Sequence, residues 1–286
     1  MFRTFFLAAS VLVATAVLPV RAYAQTPVEI PAPSETVYEI WFADGSTILG
    51  YIAGVTEELV IFITVGGGRL EIAPLQIKRL RPARGKVVHD KFWTEDPGST
   101  RLFFTSTGRS LSRGEAYIGS YVVILPFAAY GITDRVTIAA GAPVLFGEFE
   151  PFYIAPKVQV ISFPTVQVSL GTIAFFYDAE VVGLVYQVGT FGDMDKALSA
   201  GLGFFYSGDE VTNDAAFMVG GEFRISRRIK LITENYHLPE AVDGVFSGGI
   251  RIMFARFNAE VGAIGATGDG LGCCLPLLNI SYAFGR

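Results

Sequence analysis

The chain is poor in charged residues, cysteine and histidine. Of its 286 residues only 17% are charged, whereas 51% are hydrophobic; a typical soluble domain has about 25% charged residues. Two cysteines and two histidines are too few for a Cys/His-rich metal site. The glycines near the C-terminus follow turn spacing and precede no Lys-Ser/Thr pair of a phosphate loop. The sequence therefore predicts no metal and no cofactor.

Long apolar runs are also missing beyond residue 24. No later stretch approaches the roughly 20 consecutive apolar residues that a membrane helix needs. High apolar content without such a run favours a closed sheet, because a β-barrel satisfies its backbone in lipid without long apolar segments. The formal charge of −5, or −7 without Arg3 and Arg21, gives no indication of nucleic acid as a partner.

Residues 1–24 are predicted to be a secretory signal peptide. Arg3 precedes an apolar run over residues 5–20, and Ala22-Tyr23-Ala24 matches an A-x-A cleavage site. An uncleaved membrane helix is the alternative, but the run is short for that purpose. Residues 25–35 contain three prolines and are predicted to be an extended linker.

Residues 36–85 are predicted to form a small periplasmic β module. Asp44-Gly45 is a strong hairpin signal, and Gly66-Gly67-Gly68 supplies a second turn. The predicted strands are Val37–Phe42, Thr47–Ile52, Leu59–Thr64, Arg69–Ile72 and Gln76–Leu80. Their pattern resembles SH3-like and Sm-like small barrels. Sm-like proteins bind RNA, but this module has no convincing aromatic stacking platform, so we expect no RNA binding.

A basic cluster ends this module. It consists of Lys78, Arg79, Arg81, Arg84 and Lys86. One interpretation is contact with anionic lipid head groups or with an acidic periplasmic protein partner. The alternative, which we favour, is a solvated strand edge whose charge discourages edge pairing. Residues 86–100 are predicted to be a connector.

Residues 101–286 are predicted to form an antiparallel transmembrane β-barrel. The segment repeats units of about ten residues in which apolar residues alternate with small or polar ones, which is the pattern of a barrel with an apolar lipid face. The last unit places Leu278, Ile280, Tyr282 and Phe284 on one face, and we interpret it as the assembly-signal strand. Phe284 is followed by Gly285 and Arg286, which departs slightly from a signal that ends the chain.

Turn positions give a count of 12 strands, with 10 as the alternative. Tight connections are predicted at 133–134, 163–164, 226–228 and 255–256, and longer ones at 146–151, 207–214, 238–244 and 265–276. Short periplasmic turns and longer outer loops alternate in outer-membrane barrels, so both termini are expected in the periplasm. The predicted strands are 101–107, 116–131, 135–143, 152–162, 165–177, 180–189, 197–206, 215–225, 229–237, 245–254, 256–264 and 277–285.

Alternation also selects candidates for the lumen wall. An Arg or Lys that faces lipid at mid-membrane costs about 2–4 kcal/mol, so charged residues of the strands should point inward. The candidates are Lys157, Gln159, Glu222, Arg224, Lys230, Glu234, Arg251, Asn258 and Glu260. The signs nearly balance, which favours mutual pairing in a narrow or closed lumen. A porin-like channel for small solutes is the alternative.

No catalytic motif is evident, so we expect no enzyme. Some 12-stranded outer-membrane barrels are phospholipases with a Ser-His-Asn site, and His237 follows Asn235 on one strand face. No serine lies where it would complete a triad, which leaves a lipid-modifying enzyme as a minor alternative. The adjacent Cys273 and Cys274 could form a strained vicinal disulfide in an oxidising compartment, or could be ordinary loop residues, which we favour.

The start of the barrel resembles a known group. Residues 101–104 fit Arg-x-Phe-Phe, residues 111–117 fit Leu-x-x-Gly-Glu-x-Tyr, and Ile132-Thr133-Asp134 follows. In this respect the chain is similar to a family of uncharacterised bacterial outer-membrane proteins, and the resemblance covers residues 101–286. It implies an outer-membrane barrel, with membrane lipid and the barrel-assembly machinery as partners, and implies no activity.

Overall fold

The computed structural model describes residues 28–143, 151–178, 180–208, 210–239, 242–267 and 274–285. The predicted signal and the first three linker residues lie outside this part of the chain. Two compact units are present, Met1–Thr64 with Arg69–Arg81 and Val65–Gly68 with Pro82–Arg286. No helix among the described residues is long and apolar enough to cross a membrane.

The N-terminal unit is a five-stranded sheet in the order β4-β3-β2-β1-β5. The strands are β1 (Val37–Phe42), β2 (Thr47–Val55), β3 (Val60–Thr64), β4 (Arg69–Ile72) and β5 (Ile77–Pro82), with one 3₁₀ turn at Pro74–Gln76. Ile40, Ile52 and Phe62 form its buried core. At the β1–β2 turn, Gly45 has φ +85° and Asp44 accepts a hydrogen bond from the Ser46 amide at 2.8 Å. All five predicted strands are present with small shifts at their ends.

The second unit is a closed antiparallel barrel of 12 strands preceded by a hairpin. The hairpin consists of β6 (Gly85–Val88) and β7 (Lys91–Thr94). The barrel strands are β8 (Ala116–Tyr121), β9 (Leu125–Gly131), β10 (Val136–Gly141), β11 (Phe152–Phe163), β12 (Val166–Tyr177), β13 (Glu180–Gly192), β14 (Lys196–Ser207), β15 (Glu210–Arg224), β16 (Ile229–Leu238), β17 (Val242–Met253), β18 (Phe257–Thr267) and β19 (Leu275–Phe284). Pairing of β19 with β8 closes the barrel, so no strand edge is exposed to lipid.

Two of the predicted strands are wrong, although the count of 12 is right. Residues 101–107 form no barrel strand; they lie inside the barrel, where Leu102 and Phe103 are fully buried. Residues 116–131 are two strands, because Val122 and Val123 adopt positive φ values of 48° and 68° and reverse the chain. Counting residues 101–107 as a strand makes the predicted number one too high. Counting residues 116–131 as a single strand makes it one too low, so the two errors cancel. The predicted connector contains the β6–β7 hairpin and the start of the interior segment.

We call the barrel end that holds Ala116 and Phe284 proximal and the opposite end distal. The tight connections predicted at 133–134, 163–164, 226–228 and 255–256 lie at the proximal end. Two predicted distal loops are shorter than expected, because pairing continues to Ser207↔Glu210 and Leu238↔Val242. The distal segments 144–150 and 268–273 lie outside the described residues.

The outer face of the barrel wall is apolar and exposed, whereas the inner face is buried. On β15, Phe217 and Val219 are 50% and 51% exposed, whereas Met218 between them is only 6% exposed. The four residues of the predicted assembly-signal strand all point outward on β19 and are exposed. In water such a surface would be an aggregation site, whereas in a bilayer it faces a matching solvent.

A pair of adjacent glycines tests which face of β15 the interior segment contacts. A Cβ atom at Gly220 would collide with Leu102 of that segment and with the main-chain oxygen of Thr233, whereas one at Gly221 meets its nearest atom at an ordinary 3.5 Å. We expect Gly220→Ala to lower the free energy of unfolding by about 1–3 kcal/mol through overpacking. Gly221→Ala, the matched control, should be neutral. Urea unfolding of the detergent-solubilised barrel measures both, and equal effects would contradict the inward position of Gly220.

Candidate functional site

Residues 96–112, which we call the plug, occupy the lumen. On the β10–β13 side they are held by hydrogen bonds from barrel side chains to main-chain groups. The carbonyl oxygen of Gly108 accepts from Gln159 Nε2 at 3.1 Å and from Ser169 Oγ at 2.9 Å. Lys157 Nζ donates to the carbonyl oxygens of Thr107 and Arg109 at 3.0 and 2.6 Å. Because these barrel side chains use main-chain groups of the plug, they position the segment without depending on its side chains.

On the opposite side, the plug and the barrel form one continuous chain of ion pairs. Cations and anions alternate along it, and every member is buried. The pairs are Arg109–Glu222, Glu222–Lys230 at 2.9 Å, Lys230–Asp96 at 2.7 Å, Asp96–Arg251 at 2.8 Å, Arg251–Glu260 at 2.8 Å and Glu260–Arg101 at 2.9 Å. Charged hydrogen bonds of this length are stronger than neutral ones.

Asp96 is the central member of this chain of charges. Lys230 on β16 and Arg251 on β17 are direct cross-strand partners, so two cations lie side by side on the wall. Like charges at such positions repel each other. The Asp96 carboxylate lies between them and bonds to both through Oδ2. The plug therefore supplies an anion that both cations share, in addition to the wall carboxylates Glu222 and Glu260.

Glu234 holds the tip of the plug. Its carboxylate accepts hydrogen bonds from the amides of Phe103, Phe104 and Thr105 at 2.6, 3.0 and 2.8 Å. The chain reverses at this point, with Arg101 bridged to Ser106. A buried carboxylate is costly unless its oxygens are bonded, and here three consecutive amides of the turn satisfy it. Leu102 and Phe103 pack against Val188, Met218, Ile232 and Leu277 at the same level.

All nine predicted lumen residues point inward, and none is more than 8% exposed. Five belong to the chain of ion pairs or hold the tip, and Lys157 and Gln159 bond to the plug from the other wall. Asn258 lies against Asp96 and Gly98. Arg224 lies apart from these groups at the proximal end, where it pairs with Asp195 at 3.0 Å and stacks over Trp93.

The sequence prediction missed three charged residues of the site. Asp96 was placed in a connector, while Arg101 and Arg109 were assigned to the start of the barrel. These residues occupy the space between Glu222, Arg251 and Glu260, which an open pore would leave to solvent. A signal was present: residues 96–100 read Asp-Pro-Gly-Ser-Thr, which suits neither a strand nor an extended linker.

Acidic residues line the proximal rim next to the plug. Partial burial opposes ionisation of Asp193, but the amides of Lys196 and Asp195 donate to its carboxylate, both at 2.8 Å, and lower its pKa. The main-chain oxygen of Asp193 also accepts from Arg109 at 2.7 Å. Asp195 pairs with Lys86 of the hairpin at 2.6 Å. The rim thus binds basic groups from both the plug and the hairpin.

The predicted basic cluster is divided between the two units. Arg84 pairs with Glu115, and Lys86 pairs with the rim, both within the barrel unit. In the N-terminal unit, Arg79 and Arg81 lie over the ring of Trp41 at 5.5 and 4.4 Å. Arg81 also pairs with Glu39 at 3.0 Å, while Lys78 is exposed. Most of these charges therefore have partners within their own unit.

His237 lies on the outer face of β16. It is exposed and stacks against Phe217, its cross-strand partner, with the ring centroids 6.4 Å apart. Asn235 donates to Val219 and Thr233. Among the described residues paired with β16 near His237, none is a serine. Cys274 is disulfide-bonded, and Cys273 lies outside the described residues.

Solved structures provide a comparison for this architecture. Omp33 of Acinetobacter baumannii is 10% identical with a TM-score of 0.36, over 59% of this chain and 96% of Omp33. A loop L8 deletion mutant of OmpT from Vibrio cholerae is 13% identical with a TM-score of 0.35, over 87% of this chain and 96% of its own. OmpF of Salmonella typhi, solved with daunomycin, is 10% identical with a TM-score of 0.34, over 87% and 95%.

These neighbours are bacterial outer-membrane β-barrels. At such low identity and TM-score the likeness concerns the fold and carries no argument about activity. Neither a protein-family model nor a curated protein sequence matches the chain.

Neutralising Asp96 tests the chain of ion pairs. Asp96→Asn leaves Lys230 and Arg251 buried without their shared counter-ion, so we expect the free energy of unfolding to fall by about 3–5 kcal/mol. Asp90→Asn is a matched control, because Asp90 is exposed in the β6–β7 turn. Urea unfolding of both variants in detergent gives the comparison. A loss in Asp96→Asn no greater than in the control would contradict the role of Asp96.

Proposed function

We propose that this chain is an outer-membrane barrel whose lumen is closed by its own residues 96–112, and that its role is structural or one of interaction. The observation that carries the proposal is the unbroken series of buried ion pairs from Arg109 to Arg101. In a water-filled pore the charged side chains of the wall face solvent. Here the wall charges face the plug.

The energetics favour a single closed arrangement. Removing one partner of a buried ion pair costs about 3–5 kcal/mol, because the other charge is left uncompensated. The plug contributes Asp96, Arg101 and Arg109, so its withdrawal would expose several wall charges together. Main-chain bonds to Glu234 and Lys157 would break in the same event. Thermal motion of one side chain would not open such a lumen.

The proposed outer-membrane location rests on the outer face of the barrel wall. The exposed apolar side chains of β15 and β19 suit contact with outer-membrane lipid. The terminal strand, with Tyr282 and Phe284 pointing outward, is the segment we propose that the barrel-assembly machinery recognises. With the proximal end toward the periplasm, the plug enters the barrel from the periplasmic side.

Conductance tests the closure. In a planar bilayer the natural chain should give no single-channel steps. Replacing residues 96–112 by a Gly/Ser linker of equal length removes the ion pairs and should produce steps. In that background Arg251→Glu should shift selectivity toward cations, because it reverses one charge of the exposed wall. A Gly/Ser linker that replaces residues 25–35 at their own length is the control and should stay silent.

The porin-like alternative gives a different outcome. Folding of both proteins is first confirmed by their heat-modifiable mobility on gels. If the natural chain then conducts as well as the plug variant, the proposed closure of the lumen is wrong. A silent plug variant that is correctly folded would also contradict it, because the plug would then not be what closes the lumen.

We propose that the N-terminal unit supplies the interaction. Its Trp41, covered by Arg79 and Arg81, and its exposed Lys78 offer a basic and aromatic surface for an acidic periplasmic protein. Deleting residues 28–81 should abolish co-purification of such a partner and leave the barrel folded, since the hairpin and the plug both belong to the barrel unit. Lys78→Glu is a milder test of the same surface. Unchanged partners after the deletion would contradict this role.

The proposal includes no catalysis. The cross-strand partner of His237 is the phenylalanine Phe217, which cannot serve as a nucleophile. A lipid-modifying activity lost in His237→Ala would overturn this part of the proposal.

A further inference from the structure

The distal half of the lumen contains a cavity that the closure does not require. It has a volume of 370 Å³ and lies against the plug tip, where Phe104, Thr105 and Ser106 line it. Its walls include Tyr186, Val188, Phe205, Met218 and Tyr236. Whereas charge dominates the proximal lumen, no described residue that lines this cavity carries a charge.

Small inward residues create this space. Gly201 and Gly203 on β14 and Ala216 on β15 occupy positions where large side chains would fill the lumen. Pockets for small molecules have volumes of about 300–1,000 Å³, apolar and aromatic walls and a few polar groups. This cavity has those properties. A buried water molecule would be poorly stabilised in such a cavity, because it needs several polar partners for its hydrogen bonds.

The polar groups at the plug tip indicate what kind of head group fits. The Tyr236 hydroxyl bonds to Glu234 and lies 2.7 Å from Thr105 Oγ1. Glu234 places a negative charge directly behind these hydroxyls, and no described lining residue is cationic. A carboxylate head group would be repelled there, whereas a neutral hydroxyl can donate to an oxygen of the tip.

We infer that the distal cavity binds a neutral molecule with a hydrocarbon chain, such as a long-chain alcohol, with its polar end at Thr105 and Tyr236. This goes beyond the proposed closure, because a closed lumen needs no cavity. The plug serves as the floor of the site, so the ligand enters from the distal end and does not pass through the barrel.

Photolabelling tests this site. The probe is dodecanol with a diazirine on the chain, added to the full-length protein in phosphatidylcholine nanodiscs, and labelled residues are mapped by mass spectrometry. We expect labels on inward residues such as Phe104, Met218 and Tyr236. The outward Val219, which does not line the cavity, reports labelling from the lipid and serves as an internal reference. Dodecanoate with the same diazirine should label the inward residues several-fold less.

Two variants form a matched pair. Ala216→Phe fills the cavity and should reduce inward labelling several-fold without changing the labelling of Val219. Ala215→Phe places the same side chain on the outer face and should leave inward labelling unchanged. Both are checked for folding by heat-modifiable mobility, and the conductance of both should match the natural chain.

Three results would overturn the inference. Labels confined to outward residues would show that the cavity does not take the probe. Equal loss of inward labelling in both variants would show that the label does not report the cavity. Equal labelling by dodecanol and dodecanoate would exclude selection for a neutral head group. None of these results bears on closure, which the conductance of the plug variant tests separately.

Discussion

The structure of the barrel interior depends on the contact of Asp96 with Lys230 and Arg251. Two adjacent wall strands each place a cation at the same level, and a carboxylate from another part of the chain lies between them. Glu222 and Glu260 extend the alternation on either side and end at Arg109 and Arg101. Without the plug, Lys230 and Arg251 would lie side by side with no anion between them, and each would keep only its wall carboxylate, Glu222 or Glu260. The barrel strands and the plug are thus parts of one electrostatic arrangement.

The strands were predictable because lipid and lumen impose opposite demands on neighbouring residues. Phe217, Met218 and Val219 alternate as a two-sided wall requires, and the boundaries of β16 follow from that pattern. Strand β15 begins at Glu210, earlier than the predicted start at residue 215. Inward orientation of Glu222, Arg251 and Glu260 was predictable for the same reason. Their near balance of sign correctly pointed to pairing, although the pairs are made largely with residues of the plug and not only across strands.

The plug was not predictable by this reasoning, because its residues do not alternate between a lipid-facing side and a lumen-facing side. A segment surrounded by wall on all sides buries consecutive residues, as Leu102 and Phe103 do, and a strand rule misreads such a pair. The turn at Val122 and Val123 was missed for a related reason. Two β-branched residues with positive φ contradict local preference, so tertiary pairing of β8 and β9 determines that turn. The compensating errors left the strand number correct.

The plug also divides the lumen into two environments with different chemistry. Below its tip, charged side chains of β15–β18 meet charged side chains of the plug; above it, the walls carry aromatic and small residues. Glu234 lies at this boundary and holds the turn through main-chain amides, so the position of the floor does not depend on which side chains the tip carries. Tip residues such as Phe104 and Thr105 are therefore free to suit a ligand, while Asp96, Arg101 and Arg109 are constrained by the wall. Along the chain, the β6–β7 hairpin precedes the plug and is tied to the rim through Lys86–Asp195 and Trp93–Arg224. A pull from residues before the hairpin would load these contacts at the rim first, and the ion pairs of the plug would remain intact until the hairpin had detached.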